Sequence, residues 1–353
     1  MFRPRMFTLP KKVTVSLISC SLLLVGAPAV ADKSMLIEPT PEMITTYIRP
    51  AAALHGENNE TTPSRVSLGK HLFFDPRLSG SNFISCSTCH NPALGWSDGQ
   101  KTAVGHGMQV LGRATPTIIN TAYQPTQFWD GRAKTLEEQA LGPIVAAGEM
   151  NQSLDELVEE LKAITGYVDM FEAAYPGEGI TSNTIAKSIA AFERTIVATE
   201  SDFDRWLKGD KNAMSEEAVR GFAVFEGRGN CSGCHAGHNF TDNKFHNIGL
   251  EGVENLGRYE IDKKANQKKA FKTPTLRDIA RTAPYMHNGA YATLEEVVEH
   301  YDVGGFDNGA EISEDLKPSL ELSDREKKDL VAFMKALTGD ATDISVPALP
   351  VKD

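Results

Sequence analysis

Cys86-Ser87-Thr88-Cys89-His90 returns further along the chain as Cys231-Ser232-Gly233-Cys234-His235. A C-x-x-C-H pentapeptide is the attachment signature of c-type haem: two thiols add across the porphyrin vinyls, and the adjoining imidazole becomes an axial iron ligand. A single C-x-x-C would also suit a redox dithiol or half of a zinc site. Zinc, however, has no need of a histidine directly after both pairs. The repeated motif therefore predicts two covalently bound haem c groups, held by Cys86, Cys89, Cys231 and Cys234, with His90 and His235 as proximal ligands.

The 353 residues have room for two domains with buried cores. Arg3, Arg5, Lys11 and Lys12 precede an apolar run from Val13 to Val25, and Ala29-Val30-Ala31 supplies the small residues that a signal peptidase accepts. These features predict a signal peptide over residues 1–31 and export to the periplasm. Leu17-Ile18-Ser19-Cys20 resembles a lipoprotein box, but the apolar run continues past it and a better cleavage site follows. The run is too short for a stable membrane span. Of the five cysteines, Cys20 leaves with the signal and the other four are committed to haem, so the mature chain has none left for a disulfide. The formal net charge of −11 becomes more negative once the four basic residues of the signal are removed. That balance argues against nucleic acid and favours a positively charged partner such as a small basic electron carrier, although acidity also serves solubility alone.

Residues 32–62 are mixed and proline-containing and read as an extended N-terminal arm. Leu68-Gly69-Lys70-His71-Leu72-Phe73-Phe74 reads as a short helix ahead of the first motif, and Gly221-Phe222-Ala223-Val224-Phe225 as its counterpart ahead of the second. This weak internal repeat suits two cytochrome c-like units in tandem, an N-terminal haem domain over 63–206 and a C-terminal one over 207–345. Ser153-Leu154-Asp155-Glu156 is a capping box followed by an amphipathic stripe of Leu154, Leu157, Val158 and Leu161. Ile185, Ile189, Phe192 and Ile196 predict a buried stripe on a helix spanning Asn183 to Trp206. Ser323-Asp324-Arg325-Glu326 caps a last helix whose apolar face is Leu330, Phe333, Met334 and Leu337. No stretch alternates as a substantial sheet would. The predicted fold class is mainly α, two cytochrome c-like haem domains with long loops, and Gly95, Gly99, Gly105, Gly107 and Gly112 make the loop around His106 easy to move.

From Ser67 to Leu337 the sequence resembles the bacterial di-haem cytochrome c peroxidase and MauG family. The resemblance is carried by Leu78 to His90, Gly105-His106-Gly107, Phe128-Trp129-Asp130-Gly131-Arg132-Ala133, Glu137-Glu138-Gln139, Gly142-Pro143 and Glu149-Met150. It continues in Cys231 to His235, Phe271-Lys272-Thr273-Pro274-Thr275-Leu276-Arg277, Thr282 to Gly289, and Glu296-Val297-Val298-Glu299-His300-Tyr301. It implies that the N-terminal haem is the peroxide site and the C-terminal haem receives electrons. Glu149 then matches the distal acid–base group, with Gln139 and Pro143 lining the pocket. Trp129 matches the tryptophan between the haems, and His106 the histidine that ligates the peroxidatic iron at rest. On residues alone, Met286 would be the first choice of sixth ligand to the second iron. The resemblance instead puts Tyr301 there, as MauG-type enzymes do where the peroxidases place methionine, and a phenolate favours ferric and high-valent iron. A calcium ion bound by the carbonyls of Thr282 and Pro284 is also implied. The asparagine that completes the family's site appears as Ala114. His238, His246 and His287 are assigned to propionate contacts or polar packing.

Three functions stay open at this point. The first is a peroxidase that reduces hydrogen peroxide to water with electrons from a small donor such as a monohaem cytochrome c or a cupredoxin. The second is a MauG-like enzyme that oxidises residues of a protein substrate. The third is a di-haem electron carrier with both irons six-coordinate. The resemblance leaves room for a homodimer.

Overall fold

Twelve α-helices and one two-stranded sheet are seen among the residues that the structure, a computed structural model, describes: 36–50, 55–252, 254–316, 318–341 and 344–351. The expected signal peptide lies outside them. In chain order the helices are α1 (Pro41–Tyr47), α2 (Pro63–Phe74), α3 (Cys86–Cys89), α4 (Leu136–Val145), α5 (Leu154–Lys162), α6 (Thr165–Ala174), α7 (Ser182–Glu193), α8 (Asp202–Leu207), α9 (Glu216–Glu226), α10 (Tyr259–Asp262), α11 (Leu294–Asp302) and α12 (Asp324–Ala336). The antiparallel strands β1 (Phe245–His246) and β2 (Phe271–Lys272) pair only two residues each. The mainly helical expectation holds, and no described helix is long and apolar enough to cross a membrane.

Two hydrophobic cores organise the chain. The first gathers Leu68, Leu72 and Phe73 of α2, Leu157 and Leu161 of α5, Phe171 of α6, and Ile185, Ile189 and Phe192 of α7. The second gathers Phe222 and Phe225 of α9, Phe203 and Trp206 of α8, and Leu330, Phe333 and Met334 of α12. Each is built on one close helix crossing at a glycine. A Cβ on Gly69 would lie 1.9 Å from the carbonyl oxygen of Ser188 on α7, and one on Gly221 would lie 1.9 Å from that of Asp329 on α12. The paired glycines noticed ahead of the two motifs are thus the same packing device used twice. Ser323 forms the expected full capping box with Glu326, whereas at Ser153 only half of it forms: Ser153 accepts from the Glu156 N–H, but its own N–H donates to Gln152 Oε1 at 2.8 Å in place of Glu156.

Two expectations need correction. The helix expected from Asn183 to Trp206 ends at Glu193, and a separate α8 starts after Ser201. The intervening Thr195, Val197 and Thr199 are β-branched and disfavour helix, while Ser201 caps α8 through a reciprocal pair with Asp204. Ile196 stays buried although it has left the helix. The extended arm contains α1, started by the Thr40 cap and Pro41. Tyr47 of α1 is 2% exposed; it stacks on Phe240 and donates its hydroxyl proton to Glu226 of α9, so the arm is docked on the second core.

Candidate functional site

The two pentapeptides face one cavity of about 790 Å³, lined by all four motif cysteines, His90 and His235. At the first motif α3 is a single turn, with Ser85 and Thr88 satisfying the orphan amides at its start. At the second, Cys231–Gly233 forms only a 3₁₀ turn. Both turns set the imidazole that follows the second cysteine against a carbonyl. His90 Nδ1–H donates to the Trp96 oxygen at 3.1 Å, and His235 Nδ1–H to the Phe240 oxygen at 2.8 Å. Because a carbonyl can only accept, each ring carries its proton on Nδ1 and keeps Nε2 free for a metal. Burial holds both rings below the ordinary histidine pKa, which favours the neutral imidazole. The four cysteines are free of disulfides. Paired thiols, oriented neutral imidazoles and a largely apolar cavity fit two attached haems.

The first haem's surroundings come from α4 and the loop after it. Gln139 and Pro143 on α4, and Glu149 beyond it, line the cavity. Burial raises the Glu149 pKa, and the Arg132 guanidinium pulls it part of the way back. Arg132 also lines the cavity, lies 3.5 Å over the Phe128 ring and pairs with Asp130 at 3.0 Å. In the sequence this arginine stands within the Phe128-to-Ala133 motif with no role of its own. The available signal was the acid two residues before it in Asp130-Gly131-Arg132.

His106 is close to Glu149 through the backbone rather than the cavity. Its N–H donates to the Glu149 carbonyl at 2.8 Å, whereas Gly105, not the His106 ring, is among the cavity-lining residues. Gly105 allows this approach, since a Cβ there would meet the Gly148 oxygen at 2.0 Å. The loop is further held by backbone bonds between Ala103 and Arg113 and between Leu111 and Ala103.

Trp129 lines the same cavity and donates its indole N–H to the Ala114 carbonyl at 2.9 Å, while its own carbonyl accepts from Lys272 N–H at 2.8 Å. Phe128 before it has φ of 68°, a left-handed conformation uncommon for a bulky residue; the Arg132 stack holds that ring in place. On the second side, Tyr301 of α11 faces the cavity near Cys231 and Cys234, and burial pushes its phenol pKa upward. Met286 also lines the cavity. Thr282, Pro284 and Ala114 are on its wall as well, with the Ala114 carbonyl already accepting from Trp129. His287, 4% exposed, stacks on Phe271 at 3.5 Å, and its Nε2 is buried without a hydrogen-bond partner.

Residues 63–212 match the family model described as di-haem cytochrome c peroxidase. The methylamine utilization protein MauG of Methylorubrum extorquens is 45% identical over 92% of each chain. The cytochrome c551 peroxidase of Nitrosomonas europaea is 38% identical over 96% of this chain and 95% of its own. Among solved structures, a MauG-like protein associated with microbial copper homeostasis superposes with a TM-score of 0.76 at 32% identity, covering 83% of this chain and 93% of that one. Shared cavity, motif spacing and these likenesses lead to one conclusion: the chain belongs to the di-haem cytochrome c peroxidase and MauG family.

Proposed function

We propose that the protein is a periplasmic di-haem peroxidase that reduces hydrogen peroxide to water with electrons from a small donor such as a monohaem cytochrome c or a cupredoxin. The observation that carries this reading is the unequal equipment of one cavity: a buried carboxyl on the first-motif side, a phenol on the second, and Trp129 on the wall they share. Haems held by Cys86, Cys89 and His90 and by Cys231, Cys234 and His235 would supply iron that changes oxidation state and the chemistry of peroxide activation. The residues do the rest. A Glu149 carboxylate oxygen takes the proton from the near peroxide oxygen and returns it to the far one, so that water leaves in place of hydroxide. Gln139 and Pro143 bound the space in which peroxide sits, and Trp129 shortens the path from the electron-receiving side. The balance is one peroxide, two electrons and two protons to two waters.

Tyr301 favours a second reading, in which the electrons come from side chains of a partner protein, as a MauG-like enzyme would take them; the 45% identity to a methylamine utilization protein MauG points the same way. One experiment separates the two. Steady-state peroxide consumption with reduced cytochrome c supports the peroxidase, whereas negligible turnover with a long-lived two-electron-oxidised form after peroxide supports the maturase. An unchanged spectrum after peroxide, even in the half-reduced protein, removes both. Calcium on the Thr282 and Pro284 carbonyls would rest on peptide and water oxygens alone, with Ala114 giving no side-chain donor. Metal analysis of the purified holoprotein tests it, and a calcium-free protein with intact haem spectra removes it.

A further inference from the structure

Glu193 closes α7 one turn beyond Ile189, and that spacing turns both side chains to the cavity on the first-motif side. It is 4% exposed, and its Oε2 is buried without a hydrogen-bond partner. Its charge would be felt at Cys86, the first attachment sulfur. An unpaired carboxylate in such a place is costly. Burial therefore favours the neutral acid and raises the pKa to about 8.

The charged groups acting on Glu193 are few. Arg194, next in the chain, favours the anion and Glu137 of α4 opposes it. Those two are paired with each other at 2.8 Å, and Asn59 adds a 2.6 Å hydrogen bond to Glu137. Helix α2, packed on α7, brings Leu68, Leu72 and Phe73 to that core, and α3 brings Cys86. Glu193 thus shares a cavity with the first haem while its neighbouring cation is engaged elsewhere, and the peroxide chemistry assigned to Glu149 does not use it.

We propose that Glu193 is the redox-linked proton acceptor of the first haem site: when the iron on His90 gains one electron, Glu193 gains one proton. Ferric iron and the Glu193 carboxylate, with one electron from the one-electron donor and one solvent proton supplied as hydronium, give ferrous iron, the Glu193 carboxylic acid and water. The anion is stabilised by the positive charge of ferric iron across a poorly screening cavity and loses that support on reduction. By reciprocity, the carboxylate favours the ferric state. Glu193 acts on the iron through the field and touches no substrate. The inference rests on haem attachment and not on which reductant or substrate the enzyme uses.

The test is an optical redox titration of the holoprotein, both haems followed separately, at pH values on either side of about 8. The first-haem potential is expected to fall as pH rises. In Glu193→Gln, which keeps the shape and cannot ionise, that fall is lost, while the second haem behaves as in the parent. A slope retained in Glu193→Gln, or absent from the parent, overturns the proposal. Should that variant fail to take up haem, infrared redox-difference spectra in a Glu149→Gln background decide. A protonated-carboxyl band that appears on reducing the first haem supports the assignment, and its absence overturns it. Failure of the peroxidase reading would show as absent peroxide turnover and would move neither readout.

Discussion

At the scale of single residues, Glu149 and Arg132 form a tunable pair. Replacing Glu149 by Gln should lower peroxide turnover about 10²- to 10⁴-fold with haem content unchanged, and steady-state assays with a reduced cytochrome donor would check it. Activity that needs the Glu149 anion should rise with pH through a point above the ordinary carboxylate range, because burial raises that pKa. Arg132 stabilises the anion, so Arg132→Ala should move this acidic limb to still higher pH in a kcat/KM profile. An unmoved limb would show that another group titrates there. For the second haem, Tyr301→Met should change the absorption and electron paramagnetic resonance spectra of that haem alone. Identical spectra would return Met286, which lines the same cavity, to consideration as ligand.

Among the elements, the two helix crossings make the clearest demand on sequence. At Gly69 and Gly221 the partner helix backbone lies where a side chain would be, at 1.9 Å from an added Cβ in both cases. Backbone cannot swing aside as a side-chain tip can, so Gly69→Ala and Gly221→Ala should each destabilise by about 1–3 kcal/mol. Thermal melts of the holoprotein would read this as a lowered Tm, and an unchanged Tm for either variant would mean that the helices separate without cost. The break between α7 and α8 belongs to the same scale. Ending α7 at Glu193 puts this carboxyl at the helix end facing the cavity, while Arg194 turns to Glu137.

For the whole molecule, acidity and electron supply are linked. With a formal net charge of −11, a basic donor should be steered to the surface. Turnover with a basic cytochrome c should then fall as ionic strength rises, since the screening length is about 10 Å at 0.1 M salt. Turnover indifferent to salt would remove steering from the account.

Much of this was legible in the residues because it depends on local chemistry. The pentapeptides name their cofactor whatever the fold, the stripes at Leu157/Leu161 and Leu330/Phe333 follow helical period, and Ser153 and Ser323 act on amides within three residues of themselves. Other features depend on what the chain brings alongside. Periodicity carried the α7 stripe correctly to Ile196 but could not show the helix ending before it, since burial continues where the helix does not. Proline in the arm did not reveal that Tyr47 docks on Phe240. Above all, sequence made Glu149 a candidate by likeness and gave Glu193 no mark, because a carboxylate's environment is a property of its neighbours. Two cores enclosing one cavity decide which acids are buried, which cations reach them, and that Arg132 acts on Glu149 while Arg194 is held by Glu137.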